Sequence, residues 1–393
     1  MIEALKYPFT LLSKVKKSQF DHYLFGIVIL LVIFGIYLQF NIATSLGDSF
    51  QMRLFINQLR SILVASIVFV ALFSIPNLSD GLYKISPLLM IGTICLLVYV
   101  LYFGVTAQGS TRWMRIPGFS FQPSALAHPV LIIFYAKYLE KKKHLISKSG
   151  FVGFLRDFKL LVFITLTILV LIFLQRHLST LIVLSLTIFG LLYLVGFKKS
   201  LLVIMTLLIA ISFYFTVFRG EDYRSGRMDI YSKYSLFHKA LGMDKQEISA
   251  DPHQVRESLI AISQGGFFGT GAKGGRANMR FLPDVNSDYI FAMIGEQFGF
   301  IGGAIIILLF CLFLFRSFSI GDNTDTFFKK VVVIGFGLNI FISAMVNIGV
   351  SLSALPSTGL PLPYISHGGS ALLINVAMLA IILNISIKRK GNV

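Results

Sequence analysis

The sequence predicts an all-α, polytopic integral membrane protein with about ten transmembrane helices. Hydrophobic residues make up 55% of its 393 residues and charged residues only 13%, and its mean hydropathy is +0.79. A soluble domain carries about 25% charged residues, and one soluble core could not bury so many large apolar side chains. Lipid must therefore solvate much of this chain, and a soluble enzyme is excluded.

Apolar runs long enough to cross a bilayer recur along the whole sequence. A helix needs about 20 residues to cross the hydrocarbon core. The predicted spans are Tyr23–Phe40, Leu59–Ile75, Ile85–Val105, Pro123–Leu139, Leu160–Gln175, Leu178–Val195, Leu201–Phe218, Tyr289–Phe315, Val331–Leu352 and Ser370–Ile387. We interpret residues 1–393 as one membrane domain.

The basic residues lie in short links between these spans. The net charge of +17 would suit nucleic-acid binding if it formed a surface patch, but it does not, and we reject that function. The basic residues of alternate links and of the tail are Lys141, Lys142, Lys143, Lys148, Arg156, Lys159, Lys198, Lys199, Arg316, Lys329, Lys330, Lys388, Arg389 and Lys390. The positive-inside rule places these links in the cytoplasm. We therefore predict a multi-pass protein of the cytoplasmic (inner) membrane with both termini in the cytoplasm.

One segment interrupts this pattern of short links. Residues 219–287 form a long, polar, glycine-rich stretch, which we predict to be an extracytoplasmic loop between spans seven and eight. A long loop among tight links is where function tends to concentrate. The functional site is therefore expected on the outer face.

Two carboxylates at the start of span eight are candidates for catalysis. Asp288 stands where the outer loop enters the span, and Glu296 follows eight residues later, about 80° round a helix. Ionisable groups at membrane depth are costly and are functional candidates by default. Either acid would suit a general base if an apolar cavity raised its pKa. Ser287 or Asp288 could instead cap the helix that follows, and Glu296 could simply pair with a base.

Basic residues near the predicted outer face could meet an anionic head group. Glycines before Lys273 would let the backbone approach an anion, although a flexible turn explains them equally well. Arg112 beside Trp113 is equally typical of an interfacial anchor. The candidate basic residues are Arg112, Arg224, Arg227, Lys273 and Arg280. The link before span ten has three prolines and three glycines between residues 355 and 370, so it cannot be regular helix. A rigid re-entrant segment and a structural plug are equally compatible with this composition.

Four blocks of sequence, in order, carry a resemblance over nearly the whole chain. They are residues 109–113 with 122–124, residues 257–271, residues 282–292 with Glu296, and residues 356–370. With ten spans around them, these blocks resemble the SEDS family (shape, elongation, division and sporulation: FtsW, RodA and SpoVE). The sequences Ser-Asp-Tyr-Ile at 287–290 and His-Leu-Ser at 177–179 slightly favour FtsW-like over RodA-like members.

The resemblance implies a peptidoglycan glycosyltransferase that polymerises lipid II on the outer face of the membrane, in cell division or cell-shape maintenance. It also implies that Asp288 is the essential carboxylate and that a class B penicillin-binding protein is a partner. Gln122, Ser124, Ser366 and His367 lie in the matching blocks and are further candidates for substrate binding. A divalent cation such as Mg²⁺ or Mn²⁺ is compatible with this chemistry, but no ligand set in the sequence requires one.

The sequence departs from the family at one pair of positions. Where the family usually has Glu after Gln-Pro-Ser and Lys three residues later, this chain has Ala125 and His128. The missing pair leaves open a catalytically weak scaffold that activates a penicillin-binding protein. A lipid II flippase is the other alternative, but it should place charges through the bilayer depth, whereas the candidate charges gather at the outer end.

Overall fold

The computed structural model describes residues 20–45, 49–107, 110–116, 119–204, 206, 231, 233–235, 253–272, 286–357 and 359–387. The first helices are α1 (His22–Ser45), α2 (Ser49–Ser74), α3 (Leu78–Phe103), α4 (Pro123–Lys141), α5 (Lys143–Ile146), α6 (Phe151–Asp157), α7 (Lys159–Leu174) and α8 (Leu178–Val195). Further along the chain are α9 (His253–Gly265), α10 (Ile290–Asp322), α11 (Phe327–Ser351) and α12 (Gly369–Ser386).

The predicted polytopic helical architecture is confirmed. Nine of the ten predicted spans coincide with α1, α2, α3, α4, α7, α8, α10, α11 and α12. Of the seventh, Leu201–Phe218, residues 201–204 are helical and most of the rest lies outside the described residues. Within the described ranges, six helices are long and apolar enough to cross a membrane, and the bent pair α6 and α7 gives up to seven. The protein is therefore a multi-pass membrane protein.

A small antiparallel sheet, which the sequence reasoning did not predict, joins α3 to α4. Its strands are β1 (Val105–Ala107), β2 (Ser110–Ile116) and β3 (Phe119–Phe121), in the order β1-β2-β3. Backbone pairing within this sheet satisfies peptide groups of the link between the two helices. Arg112 and Trp113 therefore lie on the central strand rather than at a helix end.

Helix α11 lies at the centre of the bundle, whereas α2 lies on its rim. In the most apolar stretch of α11, 67% of the residues are buried inside the protein, whereas in that of α2 only 11% are. A Cβ on Gly335 of α11 would lie 2.5 Å from the side chain of Ile132 and 2.8 Å from that of Leu191, on α4 and α8 respectively. Small residues let membrane helices approach closely, and van der Waals contact between them replaces the hydrophobic effect as the source of stability.

Helix α10 is 33 residues long, which corresponds to about 50 Å and exceeds the bilayer core. Gly299, with φ of +65°, interrupts it near its first third. Helix α9 and the residues after it pack against this kink, and the backbone amide of Phe300 donates to the carbonyl of Gly266 at 2.9 Å. The segment predicted as a polar loop thus contains a helix whose buried face includes Val255, Ser258 and Ala261.

The two ends of the bundle are marked by Asp288 and by a group of basic residues. Asp288 lies at the start of α10, and we call this end the Asp288 end. Arg316, near the far end of α10, forms an ion pair with Asp21 at the start of α1. The starts of α1 and α11 and the end of α4 lie at this far end, and they carry Lys329, Lys330 and Lys141.

Candidate active site

Asp288 lies in a turn of residues 286–289, directly before α10, where the sequence predicted it. The link before α12 holds the two residues that precede it. The carbonyl of Asn286 accepts a hydrogen bond from the backbone amide of His367 at 2.8 Å. The carbonyl of Ser287 accepts one from the hydroxyl of Ser366 at 2.6 Å. Two of the predicted site residues therefore meet the main chain beside the candidate catalytic carboxylate.

Helix α11 holds Asp288 itself. The backbone carbonyl of Asp288 accepts a hydrogen bond from Nδ2 of Asn347, a residue of α11, at 2.9 Å. The same nitrogen donates to the backbone carbonyl of Leu360 at 2.6 Å. A Cβ on Gly359 would lie 3.4 Å from Oδ2 of Asp288, and Gly359 has φ of +70°. Three successive carbonyls, at 286, 287 and 288, are thus each fixed by a different donor.

Three glutamines from α1 and α2 complete this arrangement. Gln39 donates to the carbonyl of Asn286 at 2.9 Å, and the side chain of Asn286 donates to Gln51 at 2.6 Å. Gln58, which is buried, donates to the carbonyl of Ser366 at 3.3 Å. The sequence reasoning missed these glutamines and Asn347. Their signal was the presence of amide side chains within or beside apolar runs, where polar groups are expected to bond across helices.

A second polar cluster lies at the start of α4. The backbone amide of Gln122 donates to Oγ of Ser370 at 3.2 Å, and Ser370 donates to the carbonyl of Ser120 at 2.9 Å. The side chains of Gln122 and Ser124 approach Nδ1 of His177 at 3.4 and 3.1 Å. The first and last of the resembling blocks therefore meet in space.

His177 is buried in this cluster beside the start of α8. Burial, and to a smaller extent the positive charge of Arg112, lower its pKa to about 3. Burial also lowers the pKa of His367. Both rings are therefore neutral at pH 7. Neither can contribute a positive charge to an anion at that pH.

The buried neutral ring of His177 makes the stability of the protein depend on pH. Its pKa is 6.5 when unfolded and about 3 when folded, so below pH 6.5 the unfolded state binds a proton that the folded state does not. This stability is complete above pH 6.5 and is lost towards pH 3, by up to about 1.4 kcal/mol per pH unit. We expect His177→Asn, which keeps an amide near Nδ1, to flatten the fall of the unfolding temperature between pH 6.5 and 4 in detergent. Parallel curves for the two proteins would contradict this assignment.

Glu296 and the glycine-rich segment meet at the kink of α10. Glu296 is fully buried, and its carbonyl accepts hydrogen bonds from the amide and the hydroxyl of Thr270 at 2.9 and 3.0 Å. A Cβ on Gly265 would lie 1.9 Å from the carbonyl oxygen of Gly295, and one on Gly269 would lie 2.2 Å from that of Gln297. These glycines therefore permit close packing of two backbones.

His128, one of the two departures from the family pattern, lies in the bundle interior. Its Nδ1 is 2.9 Å from Nδ2 of Asn339 on α11, and that nitrogen also donates to Oγ1 of Thr187 on α8 at 3.1 Å. The histidine thus joins three helices through neutral hydrogen bonds. Ala125, in the first turn of α4, is half-buried.

The structure brings together only part of the predicted site. Ser366 and His367 contact the main chain directly before Asp288. Gln122 and Ser124 contact His177, whose pKa is also lowered by the charge of Arg112. Four predicted cations lie outside the described residues: Arg224, Arg227, Lys273 and Arg280.

Comparison with known proteins agrees with this architecture. The FtsW/RodA/SpoVE family model, described as "Cell cycle protein", matches residues 21–391. Stage V sporulation protein E of Bacillus subtilis (strain 168) is 32% identical over 94% of this chain and 98% of its own length. The probable peptidoglycan glycosyltransferase FtsW of Geobacter sp. (strain M18) is 30% identical over 77% of this chain and 79% of its own length.

Solved structures share the fold at lower sequence identity. A chain from a peptidoglycan synthase complex, described as coordinating polymerization and crosslinking, superposes with a TM-score of 0.72 at 22% identity, over 93% of this chain and 97% of that one. The rod shape determining protein RodA of Thermus thermophilus gives 0.67 at 22% identity, over 95% of this chain and 98% of that one. The chain is therefore a member of the FtsW/RodA/SpoVE family of cell cycle proteins.

Proposed function

We propose that this chain is a peptidoglycan glycosyltransferase that polymerises lipid II into glycan strands, in cell division or cell-shape maintenance. The observation that carries the proposal is the turn at Asp288. Hydrogen bonds from other parts of the chain fix the backbone carbonyls of residues 286, 287 and 288, and so fix the main chain that bears the carboxylate. A catalytic group must be held in place before the substrate arrives, because a misplacement of about 1 Å can cost about 10²-fold in rate. Relatives named as probable peptidoglycan glycosyltransferases support the same activity.

In the proposed mechanism, Asp288 acts as general base. Its carboxylate takes the proton from a sugar hydroxyl as that oxygen attacks the anomeric carbon of a second lipid II molecule, and the bond to the pyrophosphate breaks. Cations among Arg224, Arg227, Lys273 and Arg280 would stabilise the charge that develops on the departing pyrophosphate. Within the described ranges no three His, Cys, Asp or Glu side chains come together as a metal site would require. A divalent cation such as Mg²⁺ or Mn²⁺, bound through the pyrophosphate, would supply further stabilisation of that charge.

The remaining candidates divide by their contacts. Ser366 accepts a hydrogen bond from the amide of Leu362 and donates to Ser287, so its hydroxyl is occupied in shaping the site. Gln122 approaches His177, the charge of Arg112 acts on His177, and Trp113 follows Arg112 on β2, so these three are proposed to contact the head group. Ser124 is fully buried and bonded to His177, so we propose that it shapes this cluster instead. Glu296 is fully buried at the α10 kink, so we propose a role in that contact rather than at the sugar.

We propose that the Asp288 end faces outward and that both termini are cytoplasmic. Lys329, Lys330 and Lys141 lie at the opposite end, which the positive-inside rule places in the cytoplasm. The polyprenyl tails of lipid II would lie in the bilayer against the spans, because only the head group is polar. A class B penicillin-binding protein is the proposed partner, and the similarity to a chain of a complex that couples polymerization to crosslinking supports it.

The test is polymerisation of labelled lipid II by the purified protein. The assay would include its class B penicillin-binding partner, which itself has no glycan-forming activity, and would separate the products by length on a gel. We expect glycan strands from the wild-type protein and none from the partner alone. If no polymer forms while a related enzyme is active under the same conditions, the proposal fails.

Two rival functions predict different results in the same preparation. A lipid II flippase would move labelled lipid II across proteoliposomes without forming polymer. A scaffold, as suggested by Ala125 and His128, would raise crosslinking by the partner without polymerising lipid II itself.

A further inference from the structure

Asn347 is the residue through which α11 contacts the candidate catalytic turn. Its side chain is 1% exposed, and it lies one turn before the end of α11. Nδ2 donates to two carbonyls, of Asp288 at 2.9 Å and of Leu360 at 2.6 Å. Two carbonyl acceptors require the amide nitrogen, not the oxygen, to face them, so the orientation of this amide is determined by its contacts.

These two hydrogen bonds connect Asp288 to Leu360, which belong to two separate segments lining the candidate site. Asp288 supplies the carboxylate, and residues 359–360 form the wall beside it. Gly359 is close enough that a Cβ there would lie 3.4 Å from Oδ2 of Asp288. A shift of either part relative to the other therefore changes the surroundings of the carboxylate directly.

We propose that Asn347 is a positioning residue for the reaction of Asp288. It holds the main chain of Asp288 against residues 359–360 and so sets where the carboxylate stands relative to the attacking hydroxyl. This inference rests on the proposed function. Asn347 itself does not touch the reacting atoms; its effect passes through the carbonyl of Asp288.

Asn339 offers a matched control on the same helix. It is 2% exposed, and its Nδ2 also makes two hydrogen bonds, to His128 and Thr187. Eight residues separate it from Asn347, about 12 Å along the helix axis. Loss of either amide removes two buried hydrogen bonds from α11, but only Asn347 contacts the Asp288 turn.

The experiment compares Asn347→Leu with Asn339→Leu, in which an apolar side chain of similar size replaces each amide. For each protein, the unfolding temperature in detergent and the kcat and KM of lipid II polymerisation would be measured with the partner present. We expect both variants to unfold at lower temperature. Asn347→Leu should lower kcat by about 10²-fold with KM within about twofold, whereas Asn339→Leu should leave kcat within about twofold.

A kcat for Asn347→Leu close to that of Asn339→Leu would overturn the inference, because both residues would then serve stability alone. If Asn347→Leu does not fold, Asn347→Ser and Asn339→Ser, which introduce no bulky apolar group and keep a hydroxyl, provide the same comparison. An inactive wild-type protein would instead refute the proposed function, and this outcome is distinguishable because it precedes any comparison of variants.

Discussion

Replacing Asp288 by asparagine is expected to lower lipid II polymerisation by at least about 10²-fold while the protein still folds. General-base catalysis contributes about 10²–10⁴-fold to a rate, and an amide cannot accept the proton of the attacking hydroxyl. Asparagine has the shape of aspartate, and the hydrogen bond from Asn347 goes to the backbone carbonyl, which the change leaves in place. Polymerisation rate and unfolding temperature, measured on the same preparation, separate loss of chemistry from loss of structure.

The control for this prediction is Asp325→Asn. Asp325 is exposed and lies two residues before α11, at the opposite end of the bundle from Asp288. It forms an ion pair with Lys329 in the first turn of that helix. An exposed pair of this kind contributes about 0–1 kcal/mol, so activity and stability should both stay near wild type. A folded Asp288→Asn protein that polymerises at the wild-type rate would exclude Asp288 as the general base.

Gly269→Ala is expected to destabilise the protein strongly, for two separate reasons. Its Cβ would lie 2.2 Å from the carbonyl oxygen of Gln297, and a backbone atom cannot move aside as a flexible side chain can. The residue also has φ of +88°, which costs an L-amino acid about 1–2 kcal/mol. Overpacking adds about 1–3 kcal/mol, so the total loss should reach about 3 kcal/mol, seen as a lower unfolding temperature in detergent.

Gly271→Ala separates the two causes. Gly271 has a similar φ of +80°, but a Cβ there would meet no atom within 4 Å. It should therefore show only the conformational cost, about 1–2 kcal/mol. Equal losses in the two variants would mean that the contact with the α10 kink contributes little.

The helical spans were predictable because each is a long run of apolar residues whose location depends only on local composition. Asp288 was predictable for a similar reason, since an acid at the boundary between a polar loop and an apolar run stands out. The short sheet between α3 and α4 was not predictable. Its strands are three to seven residues long, and pairing between them depends on contacts that periodicity does not reveal.

The partners of the site could not be read from the sequence, because they join distant parts of the chain. Gln39 and Asn286 are 247 residues apart, and Gln58 and Ser366 are 308 apart. The glycine-rich segment allowed two interpretations, approach to an anion or a turn. The structure adds a third reason for Gly265 and Gly269, namely contact with another backbone, which no local pattern distinguishes from the other two.

The dependence of the Asp288 turn on the link before α12 has a consequence for biogenesis. Spans enter the membrane in the order in which the ribosome delivers them, and a nascent chain that has reached α11 already carries Asp288 but not yet Ser366 or His367. The carboxylate therefore acquires its final surroundings only after the last span has been inserted. A partly synthesised protein would contain Asp288 without the two donors that fix the carbonyls before it, so the turn is completed at the end of membrane insertion rather than during it.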